Sequence, residues 1–303
     1  MATADYSALG LRTLNVSLED GVLVAIQNRS KAFNTWDEYV PFDIIKLFEL
    51  ADKDDRVRVV ILSAEPTAGA YCGGAALDPK KGWNALFTEE EQKEGPHAHR
   101  DTGGKVAMTI YRCRKLTIAA VNGHAAGVGM TAMQLPFDLR FVWSGARLSF
   151  PFIQRGITPE ATSTFLLPKL LGHSRATSLL LTGATFSPDS PIIAGLYHQS
   201  FPTRAEVFPA ALAFAKEIAA TTSQLSVAVT KALIQNSGDS IEENHLLDSF
   251  TLRTLGPGVD GSEGILSFLQ KRAPKFTGTL SKDLGPWFPW WREVSTKHRN
   301  SKL

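Results

Sequence analysis

Apolar and polar positions in the first third of the chain predict alternating strands and helices. Two short β-favouring runs, Asn15–Leu18 and Val22–Gln27, flank a Glu-Asp-Gly turn signal and predict a hairpin. Apolar residues then recur at helical spacing from about Thr35 to Ala51, where Pro41 predicts a kink or a second start. Val57–Ser63 is apolar enough for a buried strand. This order is typical of a wound α/β core.

The middle of the chain continues the alternation. Val106–Arg112 has the pattern of a helix end, and Leu116–Val121 that of a buried strand. A helix is predicted at about Val128–Leu135, followed by a strand at Phe137–Trp143, in which the charged residues are expected to be structural. Further helices are predicted at Phe165–Leu171, Ala176–Leu181, Ala210–Ala220, Ser226–Ile234 and Glu242–Leu255.

Composition narrows the classes of function. The 303 residues, 44% of them hydrophobic, fit one catalytic domain with short appendages. The net charge of +2 shows no basic excess of the kind that nucleic-acid-binding proteins have. An anionic ligand would therefore bind local clusters of basic residues. Cys72 and Cys113 have no metal-ligand spacing and are too few for a disulfide framework. No signal pattern or membrane-spanning run is visible, so we expect synthesis and folding in the cytosol.

The last three residues match a targeting signal. Ser301, Lys302 and Leu303 form the tripeptide read by the peroxisomal import receptor. The basic residues just before them fit an exposed tail. We therefore predict import into the peroxisomal matrix.

Two loops rich in small residues are candidate binding elements. Ala70–Leu77 would let the backbone approach a ligand closely, although an ordinary glycine-rich turn explains it equally well. Asn122–Thr131 joins a strand to a helix, where free amides suit a developing negative charge. Its glycines, at 123, 127 and 129, do not form a dinucleotide-binding fingerprint.

A lone carboxylate follows these loops. The stretch Leu148–Glu160 brings Glu160 to a loop-to-helix junction, where it could carry a proton. The alternative is an ordinary helix N-terminal acid after Pro159. The polar segment from Asp78 to Gly104 predicts an irregular insert that shapes a pocket or stays mobile, and its two histidines lack partners at metal-ligand spacing.

These motifs resemble those of the enoyl-CoA hydratase/isomerase (crotonase) superfamily, and most closely those of peroxisomal Δ3,Δ2-enoyl-CoA isomerases. The similarity covers nearly all of residues 13–276. It rests on Ala70–Leu77, Ile118–Gly129, Phe150–Phe152, Gly156–Glu160, Leu181–Gly183 and Gly264–Arg272.

The resemblance implies an α/β crotonase-like fold, with repeated ββα units in a spiral core and a C-terminal helical layer for oligomerisation. It divides the chain into a core (1–205), a helical region (206–276) and a tail (277–303) that carries the targeting tripeptide. A homotrimer or a dimer of trimers is implied. An aromatic segment, Trp287–Trp291, lies beyond the family core and is expected to pack on the body or to form an exposed patch for a partner.

The resemblance also implies the site. The backbone N–H groups of Ala75 and Val128 would form the oxyanion hole, and Glu160 would be the catalytic base. Substrate-binding positions would be Ala32, Ala70, Gly74, Ala75, Leu77 and Val128. The CoA phosphates would meet Arg29, Lys31, Lys271 and Lys275, together with Arg272, although solvated surface charge explains each of these equally well. Acyl-CoA is the implied substrate, with no further cofactor and no metal.

Three departures from the family pattern bear on the subfamily. Hydratases keep glutamates where this chain has Thr131 and Phe152, dienoyl isomerases use acids at the Phe152 and Glu160 positions, and many members carry Asp where this chain has Ala76. Glu160 alone suffices for a 1,3-proton shift, so we expect a Δ3,Δ2-enoyl-CoA isomerase of β-oxidation. The alternatives are a hydratase or lyase acting on a specialised acyl-CoA in a secondary pathway, and a non-catalytic acyl-CoA-binding homologue. Acyl chain length and double-bond geometry are left open.

Overall fold

The computed structural model describes residues 5–77, 80, 82, 93 and 99–296, which form two β-sheets surrounded by helices. The larger sheet has the strand order β1-β2-β3-β5-β7-β10, antiparallel between β1 and β2 and parallel elsewhere. Its strands are β1 (Leu14–Glu19), β2 (Val22–Gln27), β3 (Val59–Ala64), β5 (Leu116–Val121), β7 (Leu139–Trp143) and β10 (Gln199–Phe201). The predicted hairpin and the predicted strands are confirmed, with ends that differ by up to two residues.

The smaller sheet has the order β4-β6-β8-β9. Its strands are β4 (Ala70–Cys72), β6 (His124–Ala126), β8 (Leu148–Ser149) and β9 (Thr185–Phe186). Each of β3, β5 and β7 in the large sheet is followed by a strand of the small sheet and then by helix. The repeated ββα units implied by the resemblance are therefore present, and the loops after β4 and β6 meet at one place.

The helices cover both faces of the large sheet. They are α1 (Tyr39–Lys53), α2 (Thr102–Arg112), α3 (Val128–Thr131), α4 (Ser163–Leu171), α5 (His173–Thr182), α6 (Arg204–Thr221), α7 (Gln224–Gln235), α8 (Ile241–Leu255), α9 (Val259–Leu269) and α10 (Leu280–Asp283). Helix α6 buries Ala211, Ala215 and Ala219 at four-residue spacing against the sheet, and these small side chains permit a close approach. This packing fixes the N-terminus of α6 beside the loop region described below.

Three of the helices differ from the sequence prediction in ways that their residues explain. Helix α1 begins at Tyr39, so Pro41 lies in its first turn, where a missing N–H removes no intrahelical bond and no kink is needed. Helix α3 ends at Thr131 rather than near Leu135. Helix α9 was not predicted, because Gly261 and Gly264 lower its helix propensity.

The C-terminal helices leave apolar side chains on the surface. Those exposed on α8 and α9 are Ile241, Leu246, Phe250, Leu252, Val259, Ile265, Leu266, Phe268 and Leu269. The aromatic segment packs on the body as expected: the Trp287 ring meets Phe250 edge-on at 5.5 Å. Within the described ranges, no helix combines the length and apolar character needed to cross a membrane.

Candidate active site

Two backbone amides on the two predicted loops have no hydrogen-bond partner among the described residues. Trp36 donates its N–H to the Gly74 carbonyl at 2.8 Å and accepts from the Ala76 N–H at 2.8 Å. In such a parallel bridge the intervening Ala75 N–H points away from Trp36. Val128 is the first residue of α3, so its N–H has no intrahelical acceptor. Among the described residues, neither amide donates a hydrogen bond.

Glycines bring these two loops together. A methyl group at Gly129 would lie 2.3 Å from the Cys72 carbonyl oxygen, so only glycine fits where α3 crosses β4. Gly74 has φ of +102° and packs on the Ala126 carbonyl, where an added Cβ would be 3.3 Å from the oxygen. The close approach of the loops explains why both amides can serve one ligand atom.

Helix α3 is shorter than the sequence predicted because a side chain replaces a backbone donor. The Gln134 amide group donates to the Gly129 carbonyl at 2.9 Å, while the Met133 N–H goes to Val128 instead. A single turn carries little macrodipole, so the sequence argument from a positive helix end is weakened here. The sequence argument then depends on the Val128 N–H, which donates no hydrogen bond among the described residues.

Arg204 binds main-chain carbonyls just before both loops. Its guanidinium donates to the carbonyls of Ala68 at 2.7 Å and Gly69 at 2.9 Å, just before β4. It also donates to the carbonyl of Asn122 at 3.1 Å, just before β6. The first residue of α6 therefore sets the spacing of the two loops.

The carboxylate position is defined by an unusual backbone. Helix α4 begins at Ser163, so Glu160 lies upstream of it and is not an acid of its first turn. The alternative of a helix N-terminal acid is therefore wrong. Ala161 and Thr162 both have φ of +56°, a left-handed conformation that is uncommon for alanine and strained for a β-branched residue. Strain of this kind clusters at functional sites.

Residues from α3 and from the start of α2 surround the Glu160 carboxyl. Oε1 accepts a hydrogen bond from the hydroxyl of Thr131, at the end of α3. Oε2 lies over Gly103 of α2, where an added methyl group would be only 1.8 Å away. Burial raises the pKa of Glu160 to about 8; the Thr131 hydrogen bond opposes this rise and the nearby Asp101 carboxylate adds to it.

Asp101 and Gly103 are site residues that sequence reasoning missed. Both fall in the polar insert, which showed no periodicity. Asp101 caps α2 by accepting the Gly104 N–H, and it also accepts the N–H of Ala161, the residue after Glu160. An aspartate followed by two glycines in a helix first turn is a signal that could have identified them.

The residues that depart from the hydratase pattern line the same place. Thr131 is fully buried and binds Glu160, while Phe152 is 6% exposed. The Phe152 ring approaches Gly127, where an added Cβ would be 4.0 Å from Cζ. The Ala76 N–H donates to the Trp36 carbonyl, so this main-chain hydrogen bond forms without an aspartate at the position.

Of the predicted substrate-binding residues, Val128 lies on the second loop and the others lie on or beside the first. Ala32 ends a short turn of 3-10 helix that packs on this loop through Asn34, whose side chain donates to the Ala70 carbonyl at 2.9 Å. Leu77 is half-exposed at 51%. These positions fit a ligand that crosses the loop, and their contact with substrate stays a prediction.

The predicted CoA-phosphate cations divide into two groups. Arg29 pairs with Asp37 at 2.9 Å, and Lys31 lies in the 3-10 turn next to it. Lys271, Arg272 and Lys275 follow α9, where Arg272 pairs with Glu263. Their phosphate contacts stay predictions. The targeting tripeptide and His97 lie outside the described residues.

A separate cavity of about 760 Å³ lies between α2, α4, α7 and the aromatic segment. Met108, Phe165, Leu166 and Trp291 contribute to its walls. Within the described ranges, its lining includes neither Glu160 nor the two free amides. The loop junction and this cavity are therefore separate places in the fold.

Comparison with known proteins agrees with this geometry. The family model described as enoyl-CoA hydratase/isomerase matches residues 17–279. An enoyl-CoA hydratase of Alternaria alternata, ACTT3, is 38% identical over 88% of this chain and 86% of its own length. Mevalonyl-coenzyme A hydratase SIDH of Beauveria bassiana is 30% identical over 84% of this chain and 90% of its own.

Solved structures agree on the architecture. A Streptomyces coelicolor A3(2) protein described as an enoyl-CoA hydratase superimposes with a TM-score of 0.79 at 27% identity. The match covers 92% of this chain and 98% of that one. A Mycobacterium abscessus protein described as an enoyl-CoA hydratase/isomerase gives a TM-score of 0.75 at 29% identity. The match covers 88% of this chain and 98% of that one. The fold is thus crotonase-like, as the resemblance implied. The chain belongs to the enoyl-CoA hydratase/isomerase family.

Proposed function

We propose that this protein is an isomerase that converts 3-enoyl-CoA to trans-2-enoyl-CoA. The observation that carries the proposal is one buried, basic carboxyl, that of Glu160, in a site that also offers the amides of Ala75 and Val128. A 1,3-proton shift needs one group that takes a proton and gives it back. It needs no water, metal or redox cofactor.

The reaction follows from the acidity of the substrate. Glu160 removes a proton from C2, the electrons move toward the thioester carbonyl, and the two amides stabilise the oxyanion of the enolate. The C3–C4 double bond then breaks as its electrons take the same proton from Glu160 at C4, while the enolate electrons form the C2–C3 double bond and restore the thioester carbonyl. Loss of one oxyanion donor typically costs about 3–4 kcal/mol of barrier.

The neighbours of Glu160 support isomerisation over hydration. Hydration requires one group to activate water and another to manage the proton. The two positions that would supply such groups hold Thr131, whose hydroxyl binds Glu160, and Phe152, whose ring is apolar. The apolar ring supports a site that excludes water from the enolate.

Hydration is the second candidate, supported by the relatives. The Alternaria proteins, at 37–38% identity, are named enoyl-CoA hydratases, and others are hydratases of mevalonyl-CoA and 2,3-dehydroadipyl-CoA. In this alternative Glu160 would place the water, and the substrate would be a specialised acyl-CoA. A third candidate, a non-catalytic acyl-CoA-binding homologue, gains no support from a carboxyl held this specifically.

Assembly and location complete the proposal. The apolar side chains exposed on α8 and α9 support a homotrimer or hexamer in which a second copy covers them. The tripeptide Ser301–Leu303 supports recognition by the import receptor and a place in the peroxisomal matrix, in fatty-acid β-oxidation. Light scattering of the purified protein and imaging with the tripeptide intact or removed test these two statements.

The deciding experiment compares two reactions. Wild type and Glu160→Gln are each given trans-3-hexenoyl-CoA, and the absorbance of the conjugated thioester is followed; crotonyl-CoA hydration is the control. We expect rapid isomerisation, a fall of at least about 100-fold in the variant, and little hydration. Dominant hydration would establish the second candidate, and inactivity on both substrates would contradict the isomerase.

A further inference from the structure

An acidic side chain outside the predicted site is built into the surroundings of Glu160. We propose that Asp101 is a positioning residue that anchors the backbone beside Glu160 and, by its negative charge, makes the Glu160 carboxyl a stronger base. This inference rests on the proposed role of Glu160 as proton carrier. It places a second acid on α2, an element that the family motifs in the sequence did not indicate.

The first argument is the backbone anchor. Asp101 Oδ1 accepts the N–H of Gly104 at 2.5 Å, which caps α2, and the N–H of Ala161 at 3.2 Å. Ala161 and Thr162 are the two left-handed residues that turn the chain into α4. One oxygen therefore ties the start of α2 to the strained turn that follows Glu160.

The second argument is charge. The Asp101 carboxylate accepts the N–H of Ala161, the residue after Glu160, and its negative charge adds to the rise in the pKa of Glu160. Gly103 leaves the space into which Glu160 Oε2 projects. A negative charge near this carboxyl opposes ionisation of Glu160 and favours its return to the protonated form.

Among the described residues, the side chains of Thr131, Cys72 and Ser163 do not supply this negative charge. From α3, the Thr131 hydroxyl donates to the carboxyl and stabilises the ionised form. From β4, the Cys72 thiol faces it, but burial raises the pKa of Cys72 to about 11, so the thiol is neutral near pH 8. From α4, the Ser163 hydroxyl donates to the Glu160 main-chain carbonyl rather than to its side chain. Asp101 and Thr131 thus act on Glu160 in opposite directions.

The consequence is that the basicity of Glu160 suits a proton shift. A carboxyl that must first accept a proton from C2 and then return it to C4 works best when both of its protonation states are accessible at the working pH. Burial provides most of the raised basicity, Asp101 adds to it, and Thr131 limits it.

The test titrates the Glu160 carboxyl directly. The ¹³C shift of labelled glutamate carboxyls is followed from about pH 5 to about pH 10 in the full chain, and Glu160 is assigned by its loss in Glu160→Gln. Asp101→Asn keeps an oxygen for both backbone amides but removes the charge, so we expect the pKa of Glu160 to fall by at least about 1 unit. Thr131→Val removes the opposing hydroxyl and should raise that pKa, whereas Thr131→Ser should leave it near the wild-type value.

Activity gives the second readout. The acid limb of the kcat profile for 3-enoyl-CoA should move to lower pH in Asp101→Asn, with a reduced plateau because the base is weaker. A purely structural role would lower the profile without moving its limb. If the Asn variant does not fold, Asp101→Ser, which keeps a capping hydroxyl, receives the same titration.

The outcomes separate this inference from the proposed function. If the pKa of Glu160 in a folded, charge-free Asp101 variant stays within about 0.3 unit of wild type, the inference is overturned. If the pKa moves as expected while wild type fails to isomerise any 3-enoyl-CoA, the inference about the carboxyl pair stands and the proposed function falls.

Discussion

The two halves of the site are built in different ways. The oxyanion half consists of main-chain amides, and its position is fixed by glycines that let α3 cross β4 and by the carbonyls that Arg204 holds. The carboxyl half consists of one side chain, Glu160, whose properties depend on neighbours from separate elements. Backbone donors keep their chemistry whatever side chains surround them, whereas a carboxyl takes its basicity from its surroundings. Mutations should therefore affect the two halves in distinguishable ways.

Gly129→Ala should have the largest effect and should damage the oxyanion half together with the fold. The added methyl group would meet the Cys72 carbonyl at 2.3 Å, and a main-chain atom cannot move away cheaply. We expect kcat/KM for 3-enoyl-CoA to fall about 100- to 1,000-fold, as for loss of an oxyanion donor, with a lower melting temperature. The control is Gly264→Ala, where the nearest atom, in Phe276, is 3.7 Å away. Equal behaviour of the two variants would contradict the close-packing argument.

Gly103→Ala should damage only the carboxyl half. Its methyl group would overlap Glu160 Oε2, the end of a flexible side chain that can swing aside. Displacement by about 1 Å costs roughly 100-fold in rate, while alanine is the better helix former, so we expect lost activity without lost thermal stability. Parallel assays of turnover and thermal unfolding check this. A melting temperature that falls as far as in Gly129→Ala would show that the two halves are not separable.

Glu160→Gln should stabilise the protein at alkaline pH. The folded-state pKa of about 8 lies above the ordinary 4.5, so the folding free energy that depends on protonated Glu160 is lost as pH rises from 4.5 through 8. Gln avoids this cost and can keep the contact with Thr131. Because Glu160 is mostly buried but keeps some contact with solvent, we expect the gain in unfolding free energy to be about 1–3 kcal/mol at pH 8.5, with no gain below pH 4.5. Denaturant unfolding at both pH values measures the difference, and a gain of equal size at both would exclude ionisation as its cause.

Sequence patterns predicted the strands and helices better than they predicted the chemical environment of Glu160. Strands β3 and β5 are continuous apolar runs, and buried parallel strands need no other signal. Family motifs located Glu160 and the two amides. Asp101 could not be found in this way, because its contact with Ala161 spans 60 positions and begins in a segment without periodicity. The sequence also presented Thr131 only as a missing acid, since its hydrogen bond to Glu160 exists only in the folded chain.

Arg204 links the site to events far from the substrate. As the first residue of α6, it reaches the carbonyls before β4 and β6 only while that helix is docked on the sheet. A transient release of α6 would therefore open both oxyanion loops at once. In amide hydrogen-exchange measurements, the protected amides of α6, β4 and β6 should respond together to any weakening of the alanine interface. Substitutions at Ala211 or Ala215 would then lower turnover from outside the pocket.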